Sequence, residues 1–111
     1  MARMSIGEMK VSKIYPLLLN KVERKGRSKT ELDAVISWLL GYDMSQVDQE
    51  MSYADFINNA PSFNPRSVLI KGKVCGIRVE EISDPFMKKV RYLDKLVDEL
   101  AKGKNLDEIL R

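Results

Sequence analysis

From Asp84-Pro85 to Gly103, apolar residues return every three or four positions at Phe86, Val90, Leu93, Val97 and Leu100, the repeat of one buried face of an α-helix. Asp84 suits the N-cap, Pro85 the first helical position where a missing N–H is harmless, and Gly103 the stop. A helix of this length, ending near Lys102, must bury its stripe against something of similar size. The rest of the chain must supply that surface.

Two stretches offer it. Val11, Ile14, Tyr15, Leu18 and Val22 form a second stripe, predicting a helix from about Ser12 to Lys25 with Pro16 in its first turn. In "GRSKTEL", Gly26 ends that helix, and the spacing from Ser28 to Glu31 is that of a capping box. The next helix runs from about Lys29 to Leu40, buries Leu32, Val35, Ile36 and Leu39, and stops at Gly41. Short helices are expected to open at Ser45 and Ser52, and Asn105 and Glu108 to cap a last turn. Residues 65–82 read less cleanly: Val68-Leu69-Ile70 and the run from Val74 to Val79 either pair as a hairpin around Lys71-Gly72-Lys73 or form helical turns, and the helical reading is preferred. The expected fold is mainly α: a compact single-domain bundle of five to seven helices spanning 1–111, with a small β-hairpin within residues 67–79 as the exception and residues 1–10 as a flexible N-terminal arm.

Composition excludes much chemistry. The chain has 111 residues, one cysteine and no histidine, so Cys/His metal sites, an internal disulfide and every histidine-dependent triad are ruled out. No stretch approaches the ~20 apolar residues of a membrane span, and the first residues lack the apolar core of a secretory signal. A cytoplasmic protein with no membrane contact and no cofactor is expected.

The net charge of +3 conceals a segregated pattern: residues 1–30 carry a local +6, residues 31–65 a local −6 with no base at all, and residues 66–111 a local +3. Such a distribution suits attraction within the fold, between copies, or toward separate partners. Within "KVERKGRSK", Arg24, Lys25, Arg27, Ser28 and Lys29 surround the free N–H groups of a helix start and form a candidate anion-binding corner for phosphate or carboxylate. The same residues also suit a merely solvated turn.

Three other constellations are weaker. "SWLLGYDMSQVDQEM" has the spacing of a DNA-binding helix-turn-helix, but its second helix would carry Asp48 and Glu50 with no base, and phosphates would repel it. Asp94 and Asp98 share a helix face at metal-ligand spacing, yet Arg91, Lys95 and Lys102 are interleaved with them as in a solvated, salt-bridged face. Cys75, between Val74 and Gly76, is a candidate reactive thiol that Lys73 or Arg78 would have to activate, since no histidine can serve as base. These features point to a non-enzymatic binding or interaction protein, self-associating or engaging another protein. A nucleic-acid-associated protein using the basic arm, and a small enzyme or redox-sensitive protein using Cys75, are the alternatives.

The stretches "IYPLLLNKVERKGRSK", "WLLGY", "NNAP" followed by "NP", "VCGIRVEEISDPFM", "RYLDKLVDELAKGK" and the closing "ILR" resemble, from about Val11 to Arg111, a family of small bacterial proteins catalogued as domain of unknown function 2200. The resemblance implies a bacterial-type cytosolic domain. It carries no activity, cofactor or catalytic residue.

Overall fold

The computed structural model describes residues 6–74 and 76–110. A 3-10 turn at Ile6–Glu8 leads into α1 (Val11–Glu23) and α2 (Lys29–Leu40). A 3-10 turn at Met44–Gln46 and α3 (Tyr53–Asn58) follow, then a 3-10 turn at Pro65–Leu69 and an antiparallel hairpin of β1 (Lys73–Val74) and β2 (Ile77–Arg78). A last 3-10 turn at Val79–Glu81 precedes α4 (Pro85–Ala101) and α5 (Leu106–Ile109). The mainly helical reading holds, and the small hairpin is real.

The three amphipathic helices meet as their stripes require. α1, α2 and α4 touch one another pairwise, and α3 rests on α1 and α4. Val22, Leu32, Val35, Leu39, Ile57, Leu93, Leu96, Val97, Leu100 and Ile109 are wholly removed from water in one apolar cluster. α4 buries more than the stripe read from its sequence, adding Tyr92 and Leu96, because it is the element that α1, α2, α3, β1 and α5 all contact. Phe86, assigned to that stripe, is only half-buried at the helix start.

Helix ends follow local chemistry. The Ser28 hydroxyl accepts from the Glu31 N–H at 3.1 Å while the Glu31 carboxylate accepts from the Ser28 N–H at 3.1 Å, completing the capping box. Asp84 caps α4 by accepting from the Phe86 N–H at 3.0 Å, and Ser52 caps α3 through the Asp55 N–H at 3.1 Å. α1 starts at Val11, so Pro16 lies inside it rather than in its first turn, and the Ser12 carbonyl lacks its usual helical donor.

The C-terminal end of α2 is built from distant chain. Gly41 adopts φ +84°, its N–H returns to the Ser37 carbonyl, and a Cβ there would stand 2.7 Å from the Ser62 Cβ. The Ser62 and Asn64 amides donate to the Leu40 and Leu39 carbonyls at 3.1 and 2.9 Å, and the Asn64 side-chain amide donates to the Trp38 carbonyl at 3.0 Å. Carbonyls that a helix end leaves open are thereby satisfied.

Two expectations need correction. The helix expected to open at Ser45 is one 3-10 turn whose N-cap is Asp43: its carboxylate accepts from the Ser45 N–H and Oγ at 3.0 and 2.6 Å, and the Asp48 carboxylate accepts from the Glu50 N–H at 2.9 Å. Each side chain takes an N–H that a helix would need, so two turns form instead. In residues 65–82 the preferred helical reading holds only for the turns at Pro65–Leu69 and Val79–Glu81; between them lies the hairpin, which reverses at Gly76, with φ +78°, and not around Lys71-Gly72-Lys73. Val68 and Leu69 lie on the preceding 3-10 turn, Gly72 is anchored because Glu80 accepts from its N–H at 3.1 Å, and its carbonyl accepts from the Val79 N–H at 3.0 Å. Among the described residues no helix is long and apolar enough to cross a membrane.

A candidate anion-binding corner

The turn through Gly26 brings the end of α1 and the start of α2 against the last turn of α4. Arg27 makes that junction. Its guanidinium donates to the Glu31 carboxylate at 2.6 Å, and its third nitrogen donates to the Leu100 and Lys104 carbonyls at 3.2 and 2.8 Å. A cation thus closes the carbonyl end of α4, where the helix dipole favours positive charge. The side chain is 14% exposed, and the Arg27 guanidinium and Ser28 amide hold the Glu31 carboxyl below its ordinary range.

Ser28 is spent on the capping box. Lys29 pairs with Asp33 at 2.8 Å and stands over the Tyr15 ring, whose hydroxyl also donates to Asp33. Burial and that bond push Tyr15 up to about 12, and the bond to Asp33 raises the Lys29 ammonium. Arg27, Ser28 and Lys29 therefore shape the corner from within.

Arg24 and Lys25 face outward. Both are exposed, and neither has an acidic partner within ion-pair distance among the described residues. With Leu17, Asn20 and Lys21 they line an open depression of about 540 Å³, and Leu17 is 62% exposed. Three lysines stand on carboxylates of α4. Lys21 and Lys102 sit on either oxygen of Asp98 at 3.6 and 3.0 Å, and Lys104 lies 3.8 Å from Glu99. The spacing of Asp98 to Lys102 marked a helix pair, but nothing local marked its closeness to α1.

The other sequence candidates fare differently. Where the second helix of a DNA-reading corner would lie, the Met44–Gln46 turn presents no recognition helix. Asp43 and Asp48 instead line a concavity of about 280 Å³ with Gln46, Val47, Met51 and Pro61 among its walls. Asp94 pairs with Arg91 at 2.9 Å and is raised by burial, while Asp98 is taken by lysines. Among the described residues no three metal-binding side chains gather. Cys75 lies outside the described residues.

A solved structure entitled "Crystal structure of uncharacterized protein SP1917" is similar to this chain, with a TM-score of 0.89 and 44% sequence identity over 98% of this chain and 94% of that one. No curated protein matches. A family model described as "Uncharacterized protein conserved in bacteria" covers residues 5–111, and the chain belongs to that family, DUF2200.

Proposed function

We propose that the protein is a non-enzymatic interaction module that receives an acidic partner at the corner of α1, α2 and α4. The observation that carries this reading is a division of labour. Arg27, Ser28 and Lys29 are satisfied internally and hold the corner rigid, while Arg24 and Lys25 stand unpaired beside exposed Leu17. Unpaired cations beside an exposed leucine suit carboxylates carried next to an aliphatic side chain. The double variant Arg24→Ala/Lys25→Ala should lower affinity for a polyglutamate probe at least tenfold without changing the melting temperature. Equal binding by the variant and the parent removes the corner from consideration.

A second copy of the chain is a candidate partner because Asp43 and Asp48 line the concavity near the end of α2 and carry the complementary charge. Light scattering should then show a mass above the monomer at low salt. Arg24→Glu/Lys25→Glu should abolish it, and mixing with Asp43→Lys/Asp48→Lys should restore it. A monomer at both low and high salt ends the self-association reading. Nucleic acid is the competing polyanion; duplex DNA binding tighter than polyglutamate, with a steep salt slope, would favour it.

A further inference from the structure

We propose that residues 65–78 form a surface that docks on an anionic lipid bilayer, with cations against the headgroups and aliphatic side chains at the acyl boundary. The surface uses none of the residues of the corner and does not depend on it.

Between Asn64 and Val79 the chain carries Arg66, Lys71, Lys73 and Arg78 and no acid. The fold lays this stretch over the core as a layer one chain thick. Ser67, Ile70, Val74 and Val79 are buried and pin it from beneath, and β1 packs on α4. The four cations, with Val68, Leu69 and Ile77, lie among those anchors and are exposed, which places them on the outward side. The reversal at Gly76 folds the layer back: Lys73 stands directly opposite Arg78, and the Gly72 carbonyl accepts from the Val79 N–H at 3.0 Å. The charges therefore gather. Lys95 of α4 joins them, its ammonium donating to the Lys73 carbonyl at 3.2 Å.

Two observations say what covers this layer. None of its five cations has an acidic partner within ion-pair distance among the described residues, and like charges directly opposite, as at Lys73 and Arg78, destabilise a ladder unless anions come from outside. Of the acids that follow, Glu80 is held on the Gly72 amide and Asp84 caps α4. The second observation is apolar. Val68, Leu69 and Ile77 are 66%, 49% and 45% exposed, three of the four large hydrophobic side chains left in water among the described residues.

An anionic bilayer answers both, offering headgroup charge over an acyl phase, and it receives protruding aliphatic side chains without a matching groove. Clusters of about 4–8 Lys and Arg bind such surfaces, reversibly and with salt sensitivity. A protein partner fits less well, because a stable protein interface takes about 20–30 residues a side and this layer is far smaller. Nucleic acid would engage the cations and leave the aliphatic side chains in water. A surface contact needs no spanning helix.

The test uses the full chain with mixed phosphatidylserine/phosphatidylcholine vesicles, pure phosphatidylcholine vesicles, polyglutamate and duplex DNA. Flotation should show binding to the mixed vesicles at least tenfold tighter than to the neutral ones, and weaker as salt is raised. A spin-labelled lipid in the mixed vesicles should broaden the Val68, Leu69 and Ile77 amides of the isotopically labelled parent chain. Lys73→Glu/Arg78→Glu should abolish binding, and Val68→Ser/Leu69→Ser should weaken it at least tenfold, each with the melting temperature held; Arg24→Ala/Lys25→Ala should leave it intact. Equal affinity for neutral vesicles, broadening confined to other residues, or full binding by Val68→Ser/Leu69→Ser would overturn the proposal. So would tighter binding of polyglutamate or DNA at the same amides. The broadening is read on the parent, so a variant that does not fold leaves the outcome decidable.

Discussion

At the scale of single residues, the most consequential side chain is Arg27, because it serves Glu31 and two carbonyls at the end of α4 at once. Arg27→Ala should cost about 2–3 kcal/mol in a denaturant titration, the range for charge-assisted bonds in a half-buried setting. Tyr53 is the opposite case. Its hydroxyl is buried with no hydrogen-bond partner among the described residues, so Tyr53→Phe should stabilise the fold by ~1 kcal/mol or raise its melting temperature by a few degrees. Tyr15 gives a pH signature. Its folded pKa is raised to about 12 from an ordinary 10, so between these values the unfolded chain releases a proton that the folded one keeps. Stability should be full below about pH 10 and fall as pH rises toward 12; Tyr15→Phe should flatten that slope, and an unchanged slope would show that Tyr15 does not set it. Arg24 and Lys25 were legible as part of a charge run, since exposure of a long cation is the default. The role of Arg27 at the end of α4 was not legible: the two carbonyls it serves lie more than seventy positions away, and a carbonyl leaves no mark in a sequence.

At the scale of elements, what could be read depended on how local the cause was. Ser28, Glu31, Gly41, Asp84 and Pro85 act on backbone groups within four residues of themselves, and their helices begin or end where those signals stand. The hairpin was misplaced because two glycines could mark its turn: Gly76 takes it with positive φ, while Gly72 is bonded to Glu80 and Val79 beyond it. The expected helix at Ser45 failed because Asp43 and Asp48 each outcompete it for a backbone N–H. α2 supplies a graded test of its own ending. Gly41→Ala must both adopt positive φ and displace Ser62 from 2.7 Å, so it should cost about 2–4 kcal/mol; Gly26→Ala, at φ +81° with nothing within 4 Å, should cost only ~1 kcal/mol. Equal costs would mean that Ser62 yields freely.

Over the whole molecule, the segregated charge of the sequence is partly cancelled by folding. Glu31, Asp33 and Glu50 from the acidic middle find Arg27, Lys29 and Lys10 from the basic start, while Asp43, Asp48 and Asp55 remain exposed without such partners among the described residues. The radius of gyration of 13.3 Å is that of a chain this long folded into one close-packed body. The way α2 is finished gives that body a history. Its first turn is closed by neighbours in sequence, whereas its last carbonyls wait for Ser62 and Asn64 to arrive from beyond α3. The helix should therefore nucleate at Ser28 and complete late. Ser28→Ala should slow refolding, and Asn64→Ala should chiefly speed unfolding, so that one helix records both the opening and the closing events of the reaction in the two arms of a chevron plot.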